Sequence, residues 1–169
     1  MSAVTIRLAR PEDLPCIDPI DASAAETFTR FGQPLVDGSP PAPEGHWAAV
    51  QAAGLLWIAD DAEAGPIGFL AGKRIEGLLY VEQVSVVIER QQQGHGRRLM
   101  QAAIDRARAE GLAAVTLSTF RNIPWNAPFY ASLGFVEPPD SAMPAHLAAR
   151  LADEARNGFT DRCAMRLAL

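Results

Sequence analysis

The chain has 169 residues, 49% of them hydrophobic and 21% charged, with a formal net charge of -5; that suffices for one well-buried domain and is short for two. A sequence pI near 5.2 argues against electrostatic binding to nucleic acid. Two cysteines, Cys16 and Cys163, make no disulfide scaffold, and three dispersed histidines make no metal site. Residues 4–8 alternate and predict a strand. Pro11 with Glu12 and Asp13 starts a helix running to about Thr29, with Pro15 and Pro19 interrupting or resetting it. Residues 31–45 are rich in Gly, Pro and Ser and predict a long loop. A short helix follows over 46–53, then strands over 55–59, 66–74 and 78–88. A long helix is predicted over 94–110, with Gly111 as its stop. Residues 113–120 predict a strand and 126–133 a helix stopped by Gly134. Phe135 and Val136 begin a strand that Pro138 and Pro139 end. Residues 144–156 predict a helix and 162–169 a closing strand.

This order predicts a single α/β domain over 1–169, a mixed sheet with helices on its faces. No basic-then-apolar leader precedes the first strand, and no apolar run is long enough to span a bilayer. With so little cysteine, the expectation is a soluble cytoplasmic protein that binds neither membrane nor nucleic acid.

The most informative stretch is Gln91-Gln92-Gln93-Gly94-His95-Gly96-Arg97-Arg98, between the apolar strand and the long helix. A strand, a glycine turn and a helix leave free backbone N–H groups where the helix dipole is positive, which suits phosphate oxygens. Glycines let a bulky anion approach the backbone. The bland alternative is a tight turn with no ligand. A dinucleotide fingerprint fails because Leu99 stands at its third glycine, and a Walker loop fails because no Gly-Lys-Ser/Thr follows.

Gln91-x-x-Gly94-x-Gly96 after an apolar strand resembles motif A of the GNAT superfamily, the N-acetyltransferases that use acetyl-CoA. Ile6-Arg7-Leu8-Ala9 before Pro11-Glu12-Asp13-Leu14 is similar to the superfamily's opening. Phe129-Tyr130-Ala131-Ser132-Leu133-Gly134-Phe135 is similar to its motif B. Two departures stand out. Ile88 replaces a frequent Pro, and Ile123 stands where many members carry an Asn, flanked here by Asn122 and Asn126.

The resemblance implies a mixed, mostly antiparallel sheet with helices on both faces. Its splayed parallel strand pair binds CoA, here the strands over 78–88 and 113–120. Backbone groups of Val86 and Ile88 are expected to pair with the pantetheine amides, and Asn126 to contact that arm. The N–H groups of Gln93, Gly94, His95, Gly96 and Arg97 are expected to hold the pyrophosphate. The side chains of Arg97 and Arg98 either add charge there or face solvent. His95 is expected to matter through its backbone rather than its ring. Acetyl-CoA is the implied co-substrate, with no metal. Tyr130 is the implied general acid, because a phenol near ~10 lies close enough to a thiol near ~8.5 to pass it a proton; its bland reading is a packed helix residue. A backbone N–H near Val86 is expected to stabilise the oxyanion.

The implied acceptor is a primary amine, small or on a peptide. An amine near ~10.4 is neutral in roughly one molecule per few thousand at pH 7, a cost of about 4–5 kcal/mol. Glu82, a carboxylate inside an apolar strand, is the candidate base, acting through water. Its alternatives are a solvated acid or a partner of Arg74 or Lys73. Glu26, Phe28 and Phe31, beside the long loop, are expected to shape the acceptor side, and Trp125 either borders the acceptor or packs. His46 and His146 read as surface or capping residues. Neither cysteine sits in a motif, so no acetyl-enzyme is expected. The competing reading is a non-catalytic acyl-CoA-binding sensor or interaction module. A homodimer through the last strand stays open.

Overall fold

The structure, a computed structural model, describes residues 2–30, 32 and 41–169. The strands among them are β1 (Val4–Leu8), β2 (Leu56–Asp61), β3 (Gly65–Ile75), β4 (Leu78–Val86), β5 (Ala114–Phe120) and β6 (Arg162–Ala168). The α-helices are α1 (Ile17–Arg30), α2 (His46–Ala52), α3 (His95–Ala109), α4 (Ala127–Ala131) and α5 (Ala145–Arg156). The strands form one mixed sheet in the order β1-β2-β3-β4-β5-β6. The pairs β1–β2, β2–β3 and β5–β6 are antiparallel, and β4–β5 is parallel. Residues gather into two compact units, 1–73 with 82–106 and 74–81 with 107–169.

In the first unit, Pro11–Cys16 is a 3-10 turn and α1 starts only at Ile17. The two prolines therefore act differently. Pro15 lies inside the 3-10 turn, whereas Pro19 is the third residue of α1, where an N–H has no helical partner to lose. Arg7 holds Asp13 through two hydrogen bonds of 2.7 and 2.9 Å and Asp60 through a third of 2.7 Å. The Arg7 hydrogen bond keeps the Asp13 carboxyl below the usual range. α1 docks on β4 through Asp21 Oδ1, which accepts from Gln83 Nε2 at 2.8 Å and Ser85 Oγ at 2.7 Å. Gly68 lets β3 and β4 approach, since a Cβ there would sit 2.9 Å from the Ser85 carbonyl oxygen. Phe69, Leu70, Leu99, Met100 and Ala103 are fully buried, the last three on one face of α3. β4 stops at Val86, two residues earlier than expected, because Ile88 N–H donates to Ser23 Oγ of α1 and Ile88–Arg90 coils into a 3-10 turn.

In the second unit, β5 and β6 pair over their whole lengths. The parallel pairing of β4 with β5 runs over Leu79↔Val115 and Tyr80↔Thr116. α5 docks through Glu154, which is 4% exposed and bonded to Ser118, Arg150 and Arg162. His146 corrects a sequence expectation. Its side chain is buried, with Nε2 2.9 Å from Thr116 Oγ1 and Nδ1 3.4 Å from Glu76. α4 is shorter than expected because Leu133 and Gly134 turn off it with i−3 bonds to Tyr130 and Ala131. The strand expected at Phe135 and Val136 is an isolated bridge, Val136↔Arg166.

Candidate functional site

β4 and the 3-10 turn after it deliver the chain to Gln91, and α3 opens at His95. Gly94 has φ +83°, and a Cβ built on it meets nothing within 4 Å. The backbone therefore demands glycine, and the space beside it is open. The first bond of the helical ladder runs from Arg98 N–H to Gly94 O, 3.1 Å. The N–H groups of Gly94, His95 and Gly96 precede that bond, at the positive end of a 15-residue helix.

Gln91 ties the turn from behind. Its Nε2 donates to the Val86 carbonyl at 3.0 Å, and its Oε1 accepts from Thr27 Oγ1 at 2.8 Å. Gln93 Nε2 donates to the Glu89 carbonyl at 3.3 Å. A cleft of about 270 Å³ opens here, lined by Thr27, Arg30, Ile88, Gln91 and Gln92. Val86 C=O and Ile88 N–H thus have internal partners. The carbonyl keeps a second lone pair, whereas the N–H has no second proton to give.

The charged groups around the turn are less uniform than their sequence suggests. Arg97 and Arg98 are exposed, and Arg98 Nη2 donates to the Val4 carbonyl at 2.7 Å. The His95 ring is buried, and neither of its nitrogens has a hydrogen-bond partner among the described residues. Burial, helped by Arg98 and Arg90, pushes its pKa below the ordinary value, so the ring is neutral.

Glu82 takes none of the partners its sequence suggested. Its Oε2 lies 2.8 Å from His46 Nε2, while Arg74 pairs with Glu110. The His46 and Glu82 side chains are 30% and 20% exposed, so water reaches both. His46 opens α2, against the edge of Trp47 at 4.8 Å, and Trp47 Nε1 donates to Asp18 at 2.9 Å. The surface or capping role expected of His46 is therefore replaced by a specific hydrogen-bond contact with Glu82. On α1, Glu26 is exposed and meets Arg30 at 3.3 Å, and Phe28 is partly exposed. Phe31 lies outside the described residues, as do residues 33–40 of the long loop.

In the second unit, Tyr130 packs edge-on against Phe129 at 5.1 Å and Phe135 at 5.9 Å. Burial pushes the phenol up to about 12, against a smaller downward pull from Arg162. Asn126 lies next to Tyr130 in the α4 turn, where Tyr130 N–H donates to the Asn126 carbonyl at 3.1 Å. Its side-chain Oδ1 accepts from Thr119 Oγ1 at 2.8 Å, which fixes the amide so that Nδ2 is the donor left over. That Nδ2 is buried with no partner among the described residues. Asn122 is committed elsewhere, with its Nδ2 donating to Asp161 at 3.0 Å. Trp125 is partly exposed beside Asn126.

Sequence reasoning missed His46, Ser23, Thr27 and Thr119. His46 and Glu82 are 36 positions apart, and no spacing rule links a helix start to a strand that far away. Among the described residues, no cluster of His, Cys, Asp or Glu could hold a metal, and no helix is long and apolar enough to cross a membrane.

Three solved structures share the fold. The ribosomal-protein-S18-alanine N-acetyltransferase of Escherichia coli aligns with a TM-score of 0.70 at 21% identity, over 98% of this chain and 94% of that one. The PaiA N-acetyltransferase of Thermoplasma acidophilum, solved with coenzyme A, aligns with a TM-score of 0.69 at 16% identity, over 99% of each chain. The N-acetylglutamate synthase of Neisseria gonorrhoeae, solved with coenzyme A and N-acetyl-glutamate, aligns with a TM-score of 0.70 at 19% identity. That alignment covers 100% of this chain and 36% of the synthase, so the chain spans about a third of its length. Residues 22–135, from α1 through the glycine turn to the end of the Tyr130 segment, match the family model described as acetyltransferase (GNAT) family, and the chain belongs to that family.

Proposed function

We propose that this protein transfers the acetyl group of acetyl-CoA to a primary amine by direct attack. The observation that carries the reading is the turn into α3. An open glycine at φ +83° and backbone donors ahead of the first helical bond suit the CoA pyrophosphate. The N–H groups of Gln93 through Arg97 take the phosphate oxygens, with Arg97 and Arg98 as flanking charge. The pantetheine arm runs by Val86 and Ile88, and the orphan Nδ2 of Asn126 donates to one of its carbonyls. Ile88 N–H joins in only by leaving Ser23.

The amine is held beside Glu26 and Phe28 of α1. Its proton leaves through water toward Glu82, and a backbone N–H near Val86 steadies the oxyanion. Tyr130 serves as the proton donor to the leaving sulfur. A phenol near 12 stays protonated throughout the physiological range. Complete transfer to a thiolate with a reference pKa near ~8.5 is uphill by roughly 5 kcal/mol. Tyr130 therefore acts first as a hydrogen-bond donor to the thiolate, and the proton follows only as the sulfur takes full charge.

The test is thiol release from acetyl-CoA with L-lysine, spermidine, tyramine and an alanine-starting peptide as acceptors. Turnover with at least one, cut strongly in Tyr130→Phe, supports the enzyme. CoA binding with no thiol release for any acceptor supports the sensor or interaction module instead.

A further inference from the structure

We infer that His46 takes the proton of the acceptor amine and that Glu82 is the residue that positions the imidazole. This rests on the amine-acetyltransferase reading and reassigns the proton within it. The argument starts from the 2.8 Å contact between His46 Nε2 and Glu82 Oε2. An ionised carboxylate only accepts hydrogen bonds, so Nε2 must carry the ring proton. That fixes the tautomer and leaves the lone pair on Nδ1. Among the described residues Nδ1 has no hydrogen-bond partner, and 30% of the side chain meets solvent.

The geometry decides which group accepts. The carboxylate is already engaged with Nε2–H, the Nδ1 lone pair is the base left over, and a carboxylate held against Nε2 stabilises the imidazolium that results. Other ionisable groups surround the corner. Asp18 on α1 is held by Trp47, and Asp21 on α1 by Gln83 and Ser85. The 3-10 turn beneath α2 carries Glu12, Asp13 and Cys16, with Asp13 held by Arg7. β2 carries Asp60, held by Arg7, and Asp61, held by Ser2 and Arg90. Glu44 lies two residues before His46. Only Glu82 is in hydrogen-bond contact with the ring among the described residues.

The step balances. The ammonium gives one proton to Nδ1, and the freed nitrogen pair forms the C–N bond as the C–S bond breaks. The CoA thiolate takes its proton from Tyr130, the phenolate takes up the second nitrogen proton through water, and the first passes from His46 to solvent.

His46→Gln separates the roles, because a glutamine amide can still donate to Glu82 but cannot take up a proton. Thiol release is followed across pH 5.5 to 9.5 with the fastest acceptor of the panel, with CoA calorimetry as the check of folding. In His46→Gln, kcat is expected to fall about 100-fold, KM for acetyl-CoA to hold, and the rising limb of the wild-type pH profile to disappear. Glu82→Gln is expected to lose about tenfold and keep that limb. The inference is overturned if His46→Gln stays within about threefold of wild type, or if Glu82→Gln is the more damaged variant. A wild type that releases no thiol overturns the parent reading instead. Ring nitrogen-15 spectra of the wild type need no acceptor: a neutral His46 carrying its proton on Nδ1 overturns the inference outright.

Discussion

The turn into α3 and the corner at α4 are built by opposite means. The turn works with main-chain atoms. Gly94 at φ +83° and a helix start provide the donors, and the side chains around them serve as struts: Gln91 to Val86 and Thr27, Arg98 to Val4. The α4 corner works with side chains. Asn126 presents an amide donor with no partner among the described residues, held by Thr119, and the Tyr130 ring is held between Phe129 and Phe135. A backbone site is indifferent to most side-chain changes and sensitive to dihedral angle. A side-chain site is the reverse.

Two substitutions test that contrast most sharply. Tyr130→Phe keeps the ring packing and removes one hydroxyl. It is expected to lower kcat by roughly 10² to 10³, with CoA affinity within about twofold by calorimetry. Because the phenol sits near 12, the wild-type rate should show no fall from its ionisation below about pH 11. Gly94→Val forces a β-branched residue to positive φ, at a strain of about 1–3 kcal/mol. The CoA dissociation constant should then rise about tenfold to 100-fold, while kcat at saturating acetyl-CoA holds. If Gly94→Val spares affinity, or Tyr130→Phe destroys it, the division between the two regions is wrong.

The same contrast explains what the sequence disclosed. Gly94 and Gly96 mark the turn because dihedral demand is local and is met by one residue type. The end of β4 was misjudged because the group that draws Ile88 off the strand, Ser23, lies 65 positions earlier. His46 and His146 read alike, as lone residues in short helices, yet they have opposite environments. One shares a wet contact with Glu82, and the other is buried between Thr116 and Glu76. Nothing local distinguishes them, because each environment is created by strands that meet the helix only in the folded chain. The motif B segment announced Tyr130, but not the acidity that burial gives it.

A smaller effect is expected at Asn126. Its Nδ2 is a buried donor with no partner among the described residues. In Asn126→Leu, a ligand carbonyl that had met this donor loses about 1 kcal/mol. CoA should bind about five- to tenfold more weakly, with kcat little changed. The free protein should lose some stability in urea, because buried Thr119 loses its acceptor. Asn122→Ala, whose side chain is committed to exposed Asp161, serves as the comparison and should leave affinity unchanged.

The smallest effect is a pH dependence placed within the backbone site by its one buried ring. His95 is neutral in the folded protein, its pKa lowered first by burial and then by Arg98 and Arg90. The unfolded chain carries an ordinary histidine, near ~6.5. Below that value the unfolded state binds the proton more readily than the folded one, so stability falls as pH drops. The slope from this one group is at most about 1.4 kcal/mol per pH unit. Asp61, the nearby acid, sits near 2, held down by Ser2 and by the backbone N–H groups of Ala64 and Glu63. Its folded pKa lies below the ordinary one, so its contribution is present at neutral pH and is lost only as pH falls below about 4. Between pH 7.5 and 5.5 only the His95 window of the two is entered. Urea midpoints of wild type and His95→Leu, compared at pH 7.5 and 5.5, should converge or cross as the wild type weakens and the leucine variant does not. If both weaken equally over that interval, the buried ring is not the source. The turn would then be as indifferent to this side chain as its backbone chemistry alone suggests.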